Sequence, residues 1–452
     1  MTIKQQFLPS LDELRQVFAK RAPFIFLGSR TSTVIPYDKL ESLEIDWIVD
    51  SSQISPQMEL SSEHELKLSG AVNWKEAKAY CQTYGRNIKT SPTEELAQIL
   101  SGVATSCTGE RCFGYGTLRD QIKTLTYMDT AGDQHTLYSD RDLSEHHLFE
   151  SKEAKDLLKR YQESYKEYRS YKNAPFPRFE KETDLMVGTE GQLGVITDGS
   201  FSTAPSHEVV FLFFALPKWE RDDSIHLEIY DWVQRYRHQI LSCELIDENS
   251  WNYLDKEEIP VVGKDTIFLE VIEKDLEEVY EKLTTELNLI KDDAIFSMPV
   301  AKFHQLRMKI PRAIFEVNSQ MGVIKKGTDV QAIGPKFKEL LQLYRNFSNE
   351  GIRYNLFGHF GDAHLHFNFM PSKEEADKCD KILGDFYKDI KSLRASPFAE
   401  HGIGLIKKKY IKSFLSPVHF EMFQYLKANM DPENLLFPWG YMNMKWKMEE
   451  GE

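Results

Sequence analysis

Residues 358–369, GHFGDAHLHFNF, place three histidines, an aspartate and an asparagine within twelve positions. The second half alternates, with Leu365 and Phe367 separating His364, His366 and Asn368. Alternation of period two marks a strand and sends those three polar side chains to one face. Neutral imidazole is a common metal ligand, and a carboxylate completes many divalent sites. On spacing alone the ligand pair is His364 with His366. For any lone histidine among the 13, the plainer role is a satisfied, partly buried ring.

The rest of the chain limits what such a strand serves. At 452 residues, two or three domains are expected. A formal net charge of −14 repels phosphates and excludes a nucleic-acid partner. No apolar run approaches the ~20 residues needed to cross a bilayer. The opening MTIKQQFLPSLDELRQVFAKR has no apolar core of a secretory leader. A cytoplasmic location is expected, with a peripheral place at the inner membrane face through a partner. The five cysteines are odd in number and have no CxxC spacing, which argues against a disulfide framework or a cysteine-ligated cluster.

Residues 24–34 read as a strand running into a Gly/Ser/Thr turn, and 73–85 as a helix stopped by glycine. Two strands flank the turn Ala131-Gly132-Asp133. The charged segment 143–172 reads as a solvated helix. After Pro205 the pattern strand, helix, strand, helix suggests an α+β domain with helices on one face of a sheet. A helix over 306–320 is expected to be interrupted at Pro311. In GTEGQLGVIT, 188–197, three glycines at three-residue spacing permit positive φ and close backbone approach. The segment is neither a P-loop nor a Rossmann fingerprint. A nucleotide site and a plain tight turn both stay open.

Order and separation of the motifs add more. SGVATSCTGERCFGYGTLRDQIKTL, 101–125, and VGTEGQLGVIT, 187–197, resemble the two flavin-lining segments of FAD-linked oxidases of the vanillyl-alcohol-oxidase/PCMH type. GHFGDAHLHFNF, AEHGIGLIKK (399–408) and MDPENLL (430–436) resemble the C-terminal half of one branch of that family. This branch holds D-lactate dehydrogenase, the glycolate oxidase flavin subunit and D-2-hydroxyglutarate dehydrogenase.

The resemblance implies an α+β fold in three stretches: a PCMH-type FAD-binding domain over 1–205, a ferredoxin-like FAD-linked oxidase C-terminal (cap) domain over 206–415 carrying the metal and catalytic motifs, and a segment 416–452 returning to the FAD domain. It implies noncovalent FAD, with Gly28, Ser29, Thr31 and Ser32 at the pyrophosphate. Gly102, Thr105, Gly109, Tyr115, Gly116, Asp120, Gly188, Glu190, Gly191, Gly194, Val195 and Ile196 would line the rest. It assigns a divalent metal (Zn, Mn or Fe) to His359, His366 and Glu400, and the catalytic base to His401. Arg307 would hold the substrate carboxylate together with Lys326, its neighbour Lys325 being the alternative, and Asn368 would contact substrate.

The implied reaction oxidises a small D-2-hydroxy acid, such as D-lactate, glycolate or D-2-hydroxyglutarate, by hydride transfer to flavin N5. Electrons would pass to a quinone, cytochrome or electron-transfer flavoprotein, and a homodimer is compatible with all of this. The sequence departs from the family pattern at the pyrophosphate loop, which has one glycine where several are usual, and at Phe437 and Trp439. Those departures keep open a catalytically decayed FAD-binding subunit, and the shared scaffold keeps open a transferase like alkyl-dihydroxyacetone-phosphate synthase.

Overall fold

The computed structural model describes residues 4–8, 10–37, 40, 45, 47–287, 294–323 and 325–444. The chain forms two units: 1–108, 117–206 and 400–452 in one, and 109–116 with 207–399 in the other.

In the first unit, a three-stranded parallel sheet places Trp47–Asp50 between the apolar strand Phe24–Leu27 and the polar edge strand Lys4–Phe7. A second, antiparallel sheet runs in the order Gln57–Leu60, Glu65–Ser69, Val195–Pro205, Ile122–Met128, Gln134–Tyr138, and Arg86–Ile88 pairs with the far end of Val195–Pro205. The Asp129 carboxylate accepts the amides of Ala131 and Asp133 and so closes the hairpin between the last two strands. Helix Trp74–Gln82 starts on a reciprocal cap between Asn73 and Glu76.

The charged helix Lys152–Ser164 is solvated on one side only. Ala154, Leu157, Leu158 and Tyr161 are buried, and the helix packs against Pro417–Met430. The C-terminal segment is held by a buried charge. Lys427 donates to the Asp431 carboxylate at 2.6 Å and to the carbonyls of Gln192 and Leu436. The same carboxylate accepts the Leu435 and Leu436 amides at 2.8 Å. That arrangement delivers Leu435–Phe437 to the parallel sheet, where Phe24 exchanges backbone hydrogen bonds with Leu435 and Phe437.

The second unit is built on one large antiparallel sheet. Its order is Ile295–Ser297, Val209–Leu216, Asp265–Ile272, Ile240–Ile246, Tyr354–His359, His364–Phe369, Lys326–Gly327, with Val330–Gln331 also pairing His364–Phe369. Ile240–Ile246 is buried along its whole length, so both faces are covered. Helix Val300–Gln320 lays Phe303, Leu306, Ile310 and Ile314 on Phe211, Phe213 and Phe268 of the sheet. It runs through Pro311 without a break. Proline removes one helical donor there, and the burial of four side chains outweighs that loss. Among the described residues, no helix is long and apolar enough to cross a membrane.

Replacing Asp431 by alanine leaves the Lys427 ammonium buried without its countercharge, and such a break costs about 3–5 kcal/mol. Chemical denaturation of Asp431→Ala is expected to show a loss of that size.

Candidate functional site

Strand register turns the alternation of the sequence into one polar face. In the hairpin, His359 stands opposite His364, Phe357 opposite His366, and Asn355 opposite Asn368. Directly opposed residues share a face, so His359 joins His364, His366 and Asn368. The link is a single turn over Phe360–Asp362 with Ala363 at φ 50°. Ring centroids lie 5.2 Å apart for His359 and His364, 4.8 Å for His364 and His366, and 6.0 Å for His359 and His366. The pair suggested by spacing and the pair suggested by resemblance therefore belong to one cluster.

The neighbouring strands supply what each imidazole needs. Leu245 pairs with Gly358, which puts Glu244 beside His359, and Glu244 Oε1 lies 2.7 Å from His359 Nδ1. On the other side Asp329 Oδ1 lies 2.8 Å from His364 Nε2. The Thr328 carbonyl lies 3.3 Å from His366 Nδ1. A carbonyl oxygen only accepts, so His366 Nδ1 carries hydrogen and Nε2 carries the lone pair. A carboxylate at His359 Nδ1 sets the same tautomer, whereas His364 turns Nε2 to its acid. This is how proteins orient imidazoles that bind metal. Asp329, His364 and His366 each offer a ligand atom within 4.8 Å of the others, and all three are buried.

Arg307 reaches this face from helix Val300–Gln320. Its Nε lies 3.1 Å from a Glu110 carboxylate oxygen and its Nη2 3.2 Å from Glu244 Oε2. Burial works against its charge, but the carboxylates of Glu110, Glu244 and Glu270 prevail and its pKa is raised. Beside it, Arg111 grips Glu270 through Nε at 3.0 and 3.1 Å, and the Ser242 hydroxyl donates to the same carboxylate. Asn368 Nδ2 donates to Asn355 Oδ1 at 3.1 Å.

The structure does not bring Lys326 to this group. It pairs with Phe369, on the opposite side of the strand from Asn368, and its ammonium lies 2.9 Å from the Asp380 carboxylate. Lys325 has the parity of Gly327, which is paired with Asn368. A Cβ at Gly327 would sit 2.8 Å from Asn368 Oδ1 and 3.8 Å from Lys325 Cε, so the lysine beside Asn368 is Lys325.

Asp329, Glu244, Glu270, Glu110 and Arg111 escaped the sequence reading. One signal was present: ILSCELI and TIFLEVI each carry a lone carboxylate inside an apolar strand, where a charge needs a partner.

The first unit gathers the glycine motifs. A Cβ on Gly28 would lie 2.3 Å from Ser101 Oγ, so the turn bearing Ser29, Thr31 and Ser32 rests directly on 98–101. A Cβ on Gly102 would meet Cys107 Sγ at 2.7 Å, and one on Gly194 would meet the Tyr127 ring at 2.4 Å, just before Val195 and Ile196 enter their strand. Gly188 and Gly191 take left-handed backbone at φ 74° and 72°. The Gly188 amide donates to the Val103 carbonyl and the Glu190 amide to the Ala104 carbonyl, which joins the two glycine segments.

Other predicted residues in this unit hold the backbone. Thr105 Oγ1 donates to the Ser101 carbonyl at 3.3 Å. The Asp120 carboxylate accepts from the Thr117 amide and hydroxyl, both at 2.8 Å, and so caps a short helix. Glu190 Oε1 accepts the amides of Ile403 at 2.6 Å and Gly404 at 3.0 Å. Burial pushes its pKa up to about 7, against those amides and Lys407. Glu400 accepts from Thr108 Oγ1 at 3.0 Å, and His401 Nε2 lies 3.4 Å from its other oxygen. Gly109, Tyr115 and Gly116 lie in the second unit. At Gly28, Gly102 and Gly194 the space a side chain would need is filled by the protein itself, whereas Gly191 faces open space beside its left-handed turn.

Two family models match this chain. The one described as "FAD binding domain" matches residues 11–138, and "FAD linked oxidases, C-terminal domain" matches 231–439. Together they take in most of the sequence. The chain belongs to the FAD-linked oxidase family, and its first unit carries the family's FAD-binding domain.

Relatives include the Bacillus subtilis glycolate oxidase subunit GlcD, 23% identical over 57% of this chain and 56% of the relative. The mitochondrial D-2-hydroxyglutarate dehydrogenase of Arabidopsis thaliana is 25% identical over 56% of this chain and 47% of its own. The mitochondrial cytochrome-type D-lactate dehydrogenase of Kluyveromyces lactis is 21% identical over 83% of this chain and 61% of its own. The chain thus spans about half the length of these relatives. A solved alkyldihydroxyacetonephosphate synthase superposes with a TM-score of 0.64 at 13% identity, covering 96% of this chain and 75% of that one. At that identity the likeness concerns the fold alone.

Glu190 gives a pH prediction for the first unit. Its folded pKa of about 7 lies above the ordinary value of 4.5. The folded state therefore keeps a proton that the unfolded chain releases, and stability present below pH 4.5 is lost as pH rises toward 7. In urea titrations, Glu190→Gln is expected to gain on the wild type across that window and to gain nothing further above it.

Proposed function

We propose that the protein is an FAD-dependent oxidoreductase that converts a small D-2-hydroxy acid to the 2-oxo acid, assisted by a divalent cation. The observation that supports this best is the buried imidazole face, on which Asp329, His364 and His366 bring ligand atoms within 4.8 Å of one another and His359 stands alongside with its Nδ1 on Glu244.

In this reading His359 and His366 hold the cation with Glu400, and Glu244 and the Thr328 carbonyl keep the rings in place. Asp329 and His364 form the adjoining pair, and Asp329 supplies a further carboxylate to the donor set. When bound, a divalent cation supplies Lewis acidity that eases loss of a hydroxyl proton, and FAD supplies the two-electron acceptor. The protein's own groups do the rest. His401 accepts the hydroxyl proton on a ring nitrogen, a transfer typically contributing ~10²–10⁴-fold. Arg307 orients the substrate carboxylate through its planar fork, with Lys325 rather than Lys326 as the second cation. The Asn368 amide, braced by Asn355, contacts substrate. The electron acceptor is a quinone, a cytochrome or an electron-transfer flavoprotein.

Anaerobic titration of the flavin-loaded protein with D-lactate, glycolate and D-2-hydroxyglutarate is expected to bleach the oxidised flavin band with at least one acid. A band unmoved by the whole panel and by longer D-acids rejects the reading. In metal analysis, His359→Ala and His366→Ala are expected to lose the bound metal, and His364→Ala to weaken it by about 10–100-fold, the usual size for a supporting residue. Full retention in His359→Ala would reassign the ligands to Asp329, His364 and His366.

A further inference from the structure

Under the proposed function Arg307 receives the substrate carboxylate, yet its guanidinium already lies between two acids of the protein. Nε is 3.1 Å from Glu110 and Nη2 is 3.2 Å from Glu244. Those two nitrogens form one edge of the planar fork, the kind of edge that grips a carboxylate with two parallel bonds. Here the edge is divided between two side chains.

The two acids differ in exposure and in the backbone that carries them. Glu244 is buried, and its other oxygen is bonded to His359. Glu110 is 20% exposed and stands between Gly109 at φ 149° and Arg111 at φ 60°. Beyond it the chain is clamped to the sheet. Arg111 grips Glu270, Arg237 Nε donates to the Phe113 carbonyl at 2.8 Å, and a Cβ on Gly114 would lie 2.9 Å from the Ile240 carbonyl. Glu110 is therefore the end of a fixed stretch, next to a glycine that lets its backbone turn.

Charge leads to the same residue. Two guanidiniums, Arg111 and Arg307, face three carboxylates, Glu110, Glu244 and Glu270. A ligand carboxylate that took the Nε–Nη2 edge of Arg307 would stand against both Glu110 and Glu244, and like charges that close repel unless one of them withdraws.

We propose that Glu110 is a specificity-determining residue: an internal carboxylate that competes with the ligand's carboxylate for Arg307 and yields its place when an anionic ligand binds. The proposal rests on the assignment of Arg307 made above. It makes the site discriminate against carboxylates relative to uncharged analogues of the same shape.

The test uses 2-hydroxyisobutyrate, which has the hydroxyl and the carboxylate but no hydrogen on Cα, so it cannot be oxidised. Its amide is the uncharged control. In calorimetric titrations of the flavin-loaded full chain, Glu110→Gln is expected to bind the acid at least about tenfold more tightly than the wild type. The amide should bind both proteins alike, and Glu110→Asp, which keeps the charge, should bind the acid like the wild type.

An unchanged, weakened or undetectable affinity for the acid in Glu110→Gln overturns the proposal, as does equal tightening of acid and amide, which would mean a general loosening. The probe is never turned over, so the two readings fail separately. Oxidation of D-acids with no gain in Glu110→Gln removes only the role of Glu110. A gain without oxidation of any acid removes only the proposed reaction.

Discussion

Charge buried on one face of a sheet must be neutralised within that face, because water is not there to do it. The second unit meets this requirement along one cross-strand row. Pairing carries the row from Phe296 to Phe213 and Phe268, and from Phe268 to Glu244. The register continues through His359 to His364 and Gln331. Three aromatic positions are followed by an acid, two imidazoles and an amide, each within reach of the next at the ordinary strand spacing of about 4.8 Å. Arg307 comes to the row from a helix and Asp329 from the adjoining strand segment, so Glu244 and His364 each have a partner from a different element. Loss of one member leaves another charge unpaired, which makes the row costly to alter piecemeal.

The first unit solves a different problem, that of holding irregular backbone still. Its glycine segments cannot pair as regular strands, so side chains do the fixing. Glu190 extends from one glycine turn to the amides of Ile403 and Gly404, next to Glu400 and His401 in sequence. Lys427 and Asp431 perform the same service for the C-terminal segment. A residue in a flavin motif need not touch the flavin to matter. Glu190 and Asp120 both direct carboxylate oxygens to backbone amides, which shapes the turn in which each stands.

The sequence showed some of this and hid the rest for identifiable reasons. Alternation in 364–369 announced a strand with a polar face, and the glycine spacing at 188–194 announced left-handed turns. Both signals are local and periodic, so they survive without a fold. Parity alone favoured His364 over His359, because the contribution of His359 depends on a hairpin register that only the folded sheet fixes. Lys325 and Lys326 cannot be told apart without knowing which one opposes Asn368. Pro311 looked like a break because its backbone cost is visible in sequence and the packing of Phe303, Leu306, Ile310 and Ile314 is not. The acids Glu110, Glu244 and Glu270 come from distant stretches, and only strand pairing and the arginines bring them together.

Register also links the apolar half of the sheet to its polar half. Side chains alternate with a period of two, so a one-residue slip of any strand moves its whole inward set to the opposite face. A slip of Tyr354–His359 would replace His359 with Gly358 on the polar side and leave Glu244 facing no imidazole. Nothing in a hairpin of histidines prevents this by itself, since polar rows are only weakly selective about their partners. Large aromatic rings are selective. Phe213 packs on Phe268 at 5.4 Å and Phe303 on Phe268 at 4.5 Å, and neither contact survives a shift of Asp265–Ile272. That strand sets Ile240–Ile246, which in turn sets the hairpin. The phenylalanines at one end of the row thus fix, two and three strands away, which atoms of His359 and His366 are presented.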